Sequence, residues 1–102
     1  MNKVFLLGRV GVEPEIRYTL DGKPVATFII ATEEGEGHTE WLRIVAFGRL
    51  AEVCGAHLSK GMKVFIEGKL HYREYENREG QRRYVTEILA QSLQILEWTK
   101  RK

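Results

Sequence analysis

The residues best equipped for chemistry lie between Thr39 and Arg49, in the run T-E-W-L-R-I-V-A-F-G-R. Side chains alternate sides along a strand, so Trp41, Arg43, Val45 and Phe47 share one face. Glu40, Leu42, Ile44 and Ala46 take the other face, which is mostly apolar and reads as core. The first face sets two large aromatic side chains around a guanidinium. Flat rings beside cations, repeated along a strand, suit the stacking of nucleobases and the neutralisation of phosphates. The same run also fits a strand buried on both faces, as in a sandwich core, because short apolar runs are ambiguous in this way.

A second group lies in H-Y-R-E-Y-E-N-R-E-G-Q-R-R-Y, His71 to Tyr84, where aromatic residues interleave with arginines. Tyr72, Tyr75 and Tyr84 offer ring faces, and Arg73 and Arg83 offer planar guanidiniums to phosphates. The alternative is a solvated hairpin whose Glu74, Glu76 and Glu79 pair with arginines and contribute little. His38, His57 and His71 are not spaced as zinc ligands, and the single cysteine, Cys54, has no partner for a disulfide or a multi-cysteine metal site. No Ser/His/Asp set, carboxylate dyad or phosphate-binding loop is evident. The residues therefore point to binding rather than catalysis, with no cofactor and no metal.

These side chains need rigid elements to hold them. Val4 to Val10 reads as a strand, bent or broken at Gly11 to Glu15 by Pro14 and resumed over Ile16 to Leu20. Asp21-Gly22 is a hairpin signal, followed by an apolar strand over Val25 to Thr32. An acidic loop, Glu33 to Gly37, leads into the strand Thr39 to Phe47. Leu50 to Lys60 is the only helical candidate, with Leu50, Val53, Cys54, His57 and Leu58 on one stripe and Gly61 as a stop. On that stripe Cys54 reads as a small buried hydrophobe and His57 as a packing residue. Gly55 weakens the helix by about 1 kcal/mol relative to Ala, so packing must hold it. Met62 to Tyr75 and Gln81 to Ile95 read as two long strands around a charged turn.

Counting the bent first strand once, the order is three strands, a short helix and two more strands. The expected fold is all-β with one short helix, a five-stranded OB-fold barrel that binds oligonucleotides across strands two and three and in the loops after strands one and four, although three other strand orders could use the same elements. At 102 residues, the chain is expected to form a single domain over 1–102. No apolar run approaches the length of a membrane span, and no signal-peptide pattern opens the chain, so a cytoplasmic address is expected. The net charge of +2 is small, but residues 50–102 carry ten Lys/Arg against seven Asp/Glu, whereas residues 1–49 carry six against seven. The basic excess lies in the second half, and a local patch matters more than the total.

Several segments together resemble the bacterial single-stranded DNA-binding proteins (SSB). N-K-V-F-L-L-G-R-V-G at Asn2 to Gly11 and P-E-I-R-Y at Pro14 to Tyr18 are similar to the family's opening. T-E-W-L-R-I-V-A-F-G-R-L-A-E-V at Thr39 to Val53 resembles its central signature, and L-S-K-G-M-K-V-F-I-E-G-K-L at Leu58 to Leu70 and Y-V-T-E-I at Tyr84 to Ile88 continue it in order. The resemblance implies an OB barrel, sequence-tolerant single-stranded DNA (ssDNA) binding in replication, recombination and repair, a nucleoid-associated location and a homotetramer. It implies base stacking on Trp41, Phe47 and Tyr75, the last where a tryptophan is common. It also implies phosphate contacts from Arg43, Arg49, Lys60, Arg73 and Arg83, with Lys3 and Arg17 as further basic positions.

Three features depart from the pattern. The loop Glu33 to His38 is short and acidic and lacks a stacking tryptophan found in many relatives. Leu42 stands where a histidine is frequent at a subunit boundary. The sequence ends at Lys102 without the family's long tail and acidic tip, so as it stands it is a short form with replication and repair partners left unassigned. Trp98, near that end, reads as packing or terminal disorder. Phe5 and Leu7 on the first strand are expected to pair with a second copy, since an exposed apolar row on an edge strand invites it. Burial under Leu93, Ile95 and Leu96 is the alternative. An OB-type restart or recombination accessory working mainly through protein partners is the rival function, and an RNA-binding OB protein is a third.

Overall fold

The computed structural model describes residues 1–98; residues 99–102, on which the expectation about the missing tail partly falls, lie outside them. The elements are β1 (Val4–Val10), β2 (Glu15–Tyr18), β3 (Pro24–Glu33), β4 (Thr39–Phe47), α1 (Gly48–His57), β5 (Lys63–Glu76) and β6 (Arg82–Glu97). Sheet order is β1-β5-β6-β4-β3-β2, and β1 also pairs with β3. The first five strands in that order therefore close into a ring. β1 and β2 both pair with β3 and act as two halves of one strand bent at residues 11–14. The fold is the OB barrel, mostly β with one short helix.

Two short contacts close the ring. On one side Arg9 and Val10 pair with Ala31 and Ile30; on the other Ile44 and Val45 run parallel to Ile88 and Leu89. Backbones come very close at the neighbouring glycines. A Cβ at Gly8 would overlap the Ala31 carbonyl oxygen, and one at Gly68 the Leu89 carbonyl oxygen. Glycine is the residue that tolerates such an approach. β1 is consequently an edge strand only over Val4 to Gly8, where among the described residues β5 is its one neighbour; Arg9 is paired on both sides, and Val10 pairs with Ile30 and donates its N–H to the Met62 carbonyl.

The barrel interior holds Val10, Phe28, Ile30, Ile44, Val64, Ile66 and Ile88, capped by Ala51, Cys54 and Leu58. Leu93 and Ile95 pack against this core, but Leu96 is exposed and does not cover the first strand. β6 keeps its inward residues only by changing parity. Glu67 faces Ser92 while Gly68 faces Ala90, which leaves Gln91 as an extra residue. Such a bulge turns the inward set from even to odd numbers along one strand.

The helix starts two residues earlier than expected and stops at His57, three earlier. Leu58 is already extended (φ −77°, ψ 138°), and its N–H donates to the Cys54 carbonyl at 3.0 Å. Leu58 and Met62 then enter the core, and the Gly61 N–H donates to the Val10 carbonyl at 2.8 Å. The buried stripe is Ala51, Cys54 and Leu58, with Leu50 and Val53 at its margin. His57, expected on that stripe, is exposed and meets Trp98 edge-on at 5.7 Å. Gly55 has a packing reason, since a Cβ there would stand 3.0 Å from the Ile16 side chain. Burial pushes the Cys54 thiol up to about 11, against a weaker lowering by a backbone hydrogen bond, as suits an inert core residue.

Candidate nucleic-acid interface

β4 is the spine of the site. It pairs with β3 along its whole length, from Glu33↔Thr39 to Val25↔Phe47. Ile44 and Ala46 are thereby fixed in the core, and Trp41, Arg43 and Phe47 point outward. Trp41 is 63% exposed although it sits inside a sheet, and Phe47 is similarly open. Val45, on the same outward face, is buried, because β6 runs alongside and pairs Leu89 with it. The outer face of β4 is thus aromatic, cationic and aromatic in turn, with one apolar position covered.

Trp41 is seated by what lies beneath it. A Cβ at Gly11 would come within 2.9 Å of the indole, so the bend after β1 must be glycine for the ring to lie down there. A cleft of about 570 Å³ opens beside the ring, lined by Leu7, Arg9, Glu33, Thr39 and Lys63 among others. Arg9 and Lys63 share the Glu97 carboxylate at 3.3 and 3.9 Å.

The outer face continues onto the arm formed by β5 and β6 beyond the barrel. Paired residues share a side, so the register Arg73↔Val85, Tyr75↔Arg83 and His71↔Glu87 sets Arg73, Tyr75 and Arg83 on the same side as Glu87. Arg43 joins them. Its Nε donates to Glu87 Oε2 at 3.0 Å, and the Arg73 Nε donates to Glu87 Oε1 at 3.0 Å. The Arg73 guanidinium lies 5.7 Å from the centre of the Tyr75 ring, and Arg43, Arg73, Tyr75 and Val85 line one shallow pocket. Burial alone would raise the Glu87 carboxyl, but the hydrogen bonds and charges of Arg73 and Arg43 outweigh it and hold the group below its ordinary value.

The remaining expected residues are placed less centrally. Tyr72 lies on the opposite face of the arm, stacked on Tyr84 at 5.4 Å between ring centres, and so does not join Tyr75. Arg83 sits at the tip, donating to Gln81 at 2.9 Å. Arg49 lies in the first turn of α1, where among the described residues it has no ion-pair partner. That helix begins at Phe47 without a side-chain cap and with no acidic residue in its first turn, so Arg49 stands against the positive end of the helix dipole. Lys60 lies in the turn before β5, its N–H bonded to Glu13 at 3.1 Å. Lys3 and Arg17 are paired with Glu67 at 2.9 Å and Glu15 at 2.6 Å. Phe5 and Leu7 are outward and more than half exposed, with Phe5 stacked on Phe65 at 6.2 Å.

Residues missed from sequence are Glu87, Gly11, Arg9 and Lys63. Glu87 left one signal, a lone carboxylate on the Val85/Leu89 face of a strand, but its partners depend on a register the sequence does not display.

A closed OB barrel with exposed rings and guanidiniums along one outer face is the architecture of a nucleic-acid-binding module. The chain belongs to the single-strand binding protein family, whose model matches residues 1–96. It is 42% identical to single-stranded DNA-binding protein 1 of Xylella fastidiosa (strain 9a5c), covering 94% of this chain and 77% of that protein. It is 43% identical to single-stranded DNA-binding protein 1 of Chlorobaculum tepidum, again over 94% of this chain but only 65% of that protein's length. Among solved structures, the Plasmodium falciparum SSB in complex with ssDNA superposes with a TM-score of 0.84 at 32% identity, covering 95% of this chain and 96% of that one.

The Glu87 bonds generate a pH prediction. A carboxyl held below its ordinary value adds stability that is fully present above the unfolded value, about pH 4.5, and is lost as pH falls through the folded value. Urea midpoints measured from pH 6 down to pH 2.5 are therefore expected to fall more steeply for the wild type than for Glu87→Gln; parallel curves would contradict the ion triad.

Proposed function

We propose that this protein binds ssDNA with little regard to sequence, as expected for a role in replication, recombination and repair, and acts without catalysis. The observation that carries this is the outer face that sets Trp41 and Arg43 on β4 beside Arg73 and Tyr75 on the arm, exposed ring faces flanking half-exposed guanidiniums. Bases stack on Trp41, Phe47 and Tyr75. Phosphates meet Arg43, Arg73 and Arg83, with Arg49 serving the Phe47 end beside the uncapped helix start. Lys60, Lys3 and Arg17 lie at the margins, and the carboxylates paired with Lys3 and Arg17 weaken their pull on phosphate. Stacking requires only a π-face, so sequence preference is weak, and the phosphate contacts make affinity salt-dependent. Duplex DNA hides its ring faces and binds poorly. Family membership and the likeness to an SSB bound to ssDNA support this reading over an accessory acting mainly through partners, since the rings are displayed rather than covered.

We further infer self-association through the outward row of Phe5, Leu7 and Phe65, consistent with the homotetramer that the family resemblance implies. A cytoplasmic location accords with the DNA-binding role; among the described residues no helix is long and apolar enough to cross a membrane.

Two measurements test these proposals. In a Trp98→Phe background, Trp41 fluorescence is expected to be quenched by oligo-dT, less so at high salt and hardly at all by a matched duplex. Trp41→Ala should weaken oligo-dT binding by about 5- to 150-fold, the equivalent of one lost stacking platform. Absence of quenching at low salt would contradict the stacking role, and equal quenching by oligo-U would redirect the substrate to RNA. In light scattering, Phe5→Glu/Leu7→Glu should have a lower mass than the wild type; an unchanged multimer would place the interface elsewhere.

A further inference from the structure

We propose that Glu87 is a positioning residue, whose buried carboxylate holds the Arg43 and Arg73 guanidiniums side by side as one cradle for a backbone phosphate of the bound strand. This rests on the reading of the outer face as an ssDNA track.

Three strands supply the parts: Arg43 from β4, Arg73 from β5 and Glu87 from β6. The Glu87 side chain is 5% exposed, while the two arginines remain 43% and 41% exposed. Each arginine uses its Nε for the carboxylate, one on each oxygen. Among the described residues the terminal Nη groups, which carry most of the guanidinium's donors, have no hydrogen-bond partner and are left for another acceptor. The nearest ring is Tyr75, so a phosphate in the cradle would adjoin a stacked base.

Stability alone is a poor reason for this arrangement. A buried ion cluster is often no more stabilising than apolar residues of the same volume, and Glu87 is flanked on its own strand face by the apolar Val85 and Leu89. Holding two long side chains in place before DNA arrives, by contrast, removes part of the ordering cost of binding. Glu87 exerts two opposing effects on a phosphate. Its negative charge repels the strand, and its hydrogen bonds preorganise the two cations that attract it. The sign of the effect of neutralising it tells which one wins.

The test is oligo-dT titration of the full chain over a range of salt, in the wild type, Glu87→Gln, Arg43→Lys/Arg73→Lys and the combined variant. A glutamine puts an NH2 donor where one carboxylate oxygen accepts, so the guanidinium bonded to that oxygen is released. Glu87→Gln is therefore expected to weaken binding about tenfold despite removing a negative charge, and to lower the log–log salt slope by about 0.7, the value of one phosphate contact on a single strand. With lysines at 43 and 73, the same change should no longer weaken binding. Glu87→Asp retains the charge but loses the reach to both guanidiniums, and should also weaken binding. It keeps the test open if the Gln variant fails to fold. Equal or tighter binding by Glu87→Gln, wild-type binding by Glu87→Asp, or an undiminished Gln effect in the lysine background would overturn the cradle. If the wild type itself fails to bind oligo-dT, the ssDNA reading falls, and the cradle with it.

Discussion

Everything at the proposed interface depends on the register of β4. The strand is locked between β3, antiparallel over nine residue pairs, and β6, parallel over two, with Ile44 and Ala46 sealed in the barrel. A slip of one residue would exchange the faces, sending Trp41, Arg43 and Phe47 inward and the core residues to water. The cost of burying a guanidinium and exposing Ile44 makes that alternative inaccessible. The exposure of the rings is thus enforced by the core rather than tolerated by it, and the core in turn requires that the ring of strands close. Closure depends on the glycines that let backbones approach at Gly8 and Gly68.

Local preferences are broken where the proposed site lies. The helix after β4 begins at a phenylalanine with no cap and sets an arginine, not an acid, in its first turn. A carboxylate is buried on β6, and a tryptophan lies open to solvent in mid-sheet. The uncapped start, the arginine in the first turn and the open tryptophan each sacrifice some stability, and with the buried carboxylate they fall within the proposed interface. Conflicts between local rules and the global fold are expected at functional positions, and their clustering supports the proposed site.

Much of this was legible in sequence. The limits of β4 match the run Thr39 to Phe47, because a β-branched and aromatic stretch bounded by an acidic glycine-rich loop and by Gly48 marks its own ends. The Asp21-Gly22 and Glu76–Gly80 turns were visible because glycine alone supplies the positive φ used at Gly22 (83°) and Gly80 (77°). What stayed hidden depends on contacts distant in the chain. Val45 is covered by a parallel neighbour more than forty residues away, and the Arg43–Glu87–Arg73 triad exists only once three strands are in register. The bulge at Gln91 breaks the alternation of β6, so no periodic reading could follow its inward face to the end. The helix stripe misled for a different reason. His57 has the right spacing, but small Ala51 and Cys54 bring the helix against the barrel on a slightly rotated face. Tyr72 and Tyr75 are three residues apart on a strand, an odd spacing, and therefore face opposite ways.

The central claim is that one outer face, running from β4 to one side of the arm, carries the DNA. Photo-crosslinking with oligo-dT bearing 5-iodouracil, followed by peptide mapping, tests it most directly, because crosslinks form at the side chains against which bases lie. The account predicts crosslinks at Trp41, Phe47 and Tyr75. Crosslinks at Tyr72 and Tyr84, with none at Trp41, would contradict it by placing the strand on the other face of the arm.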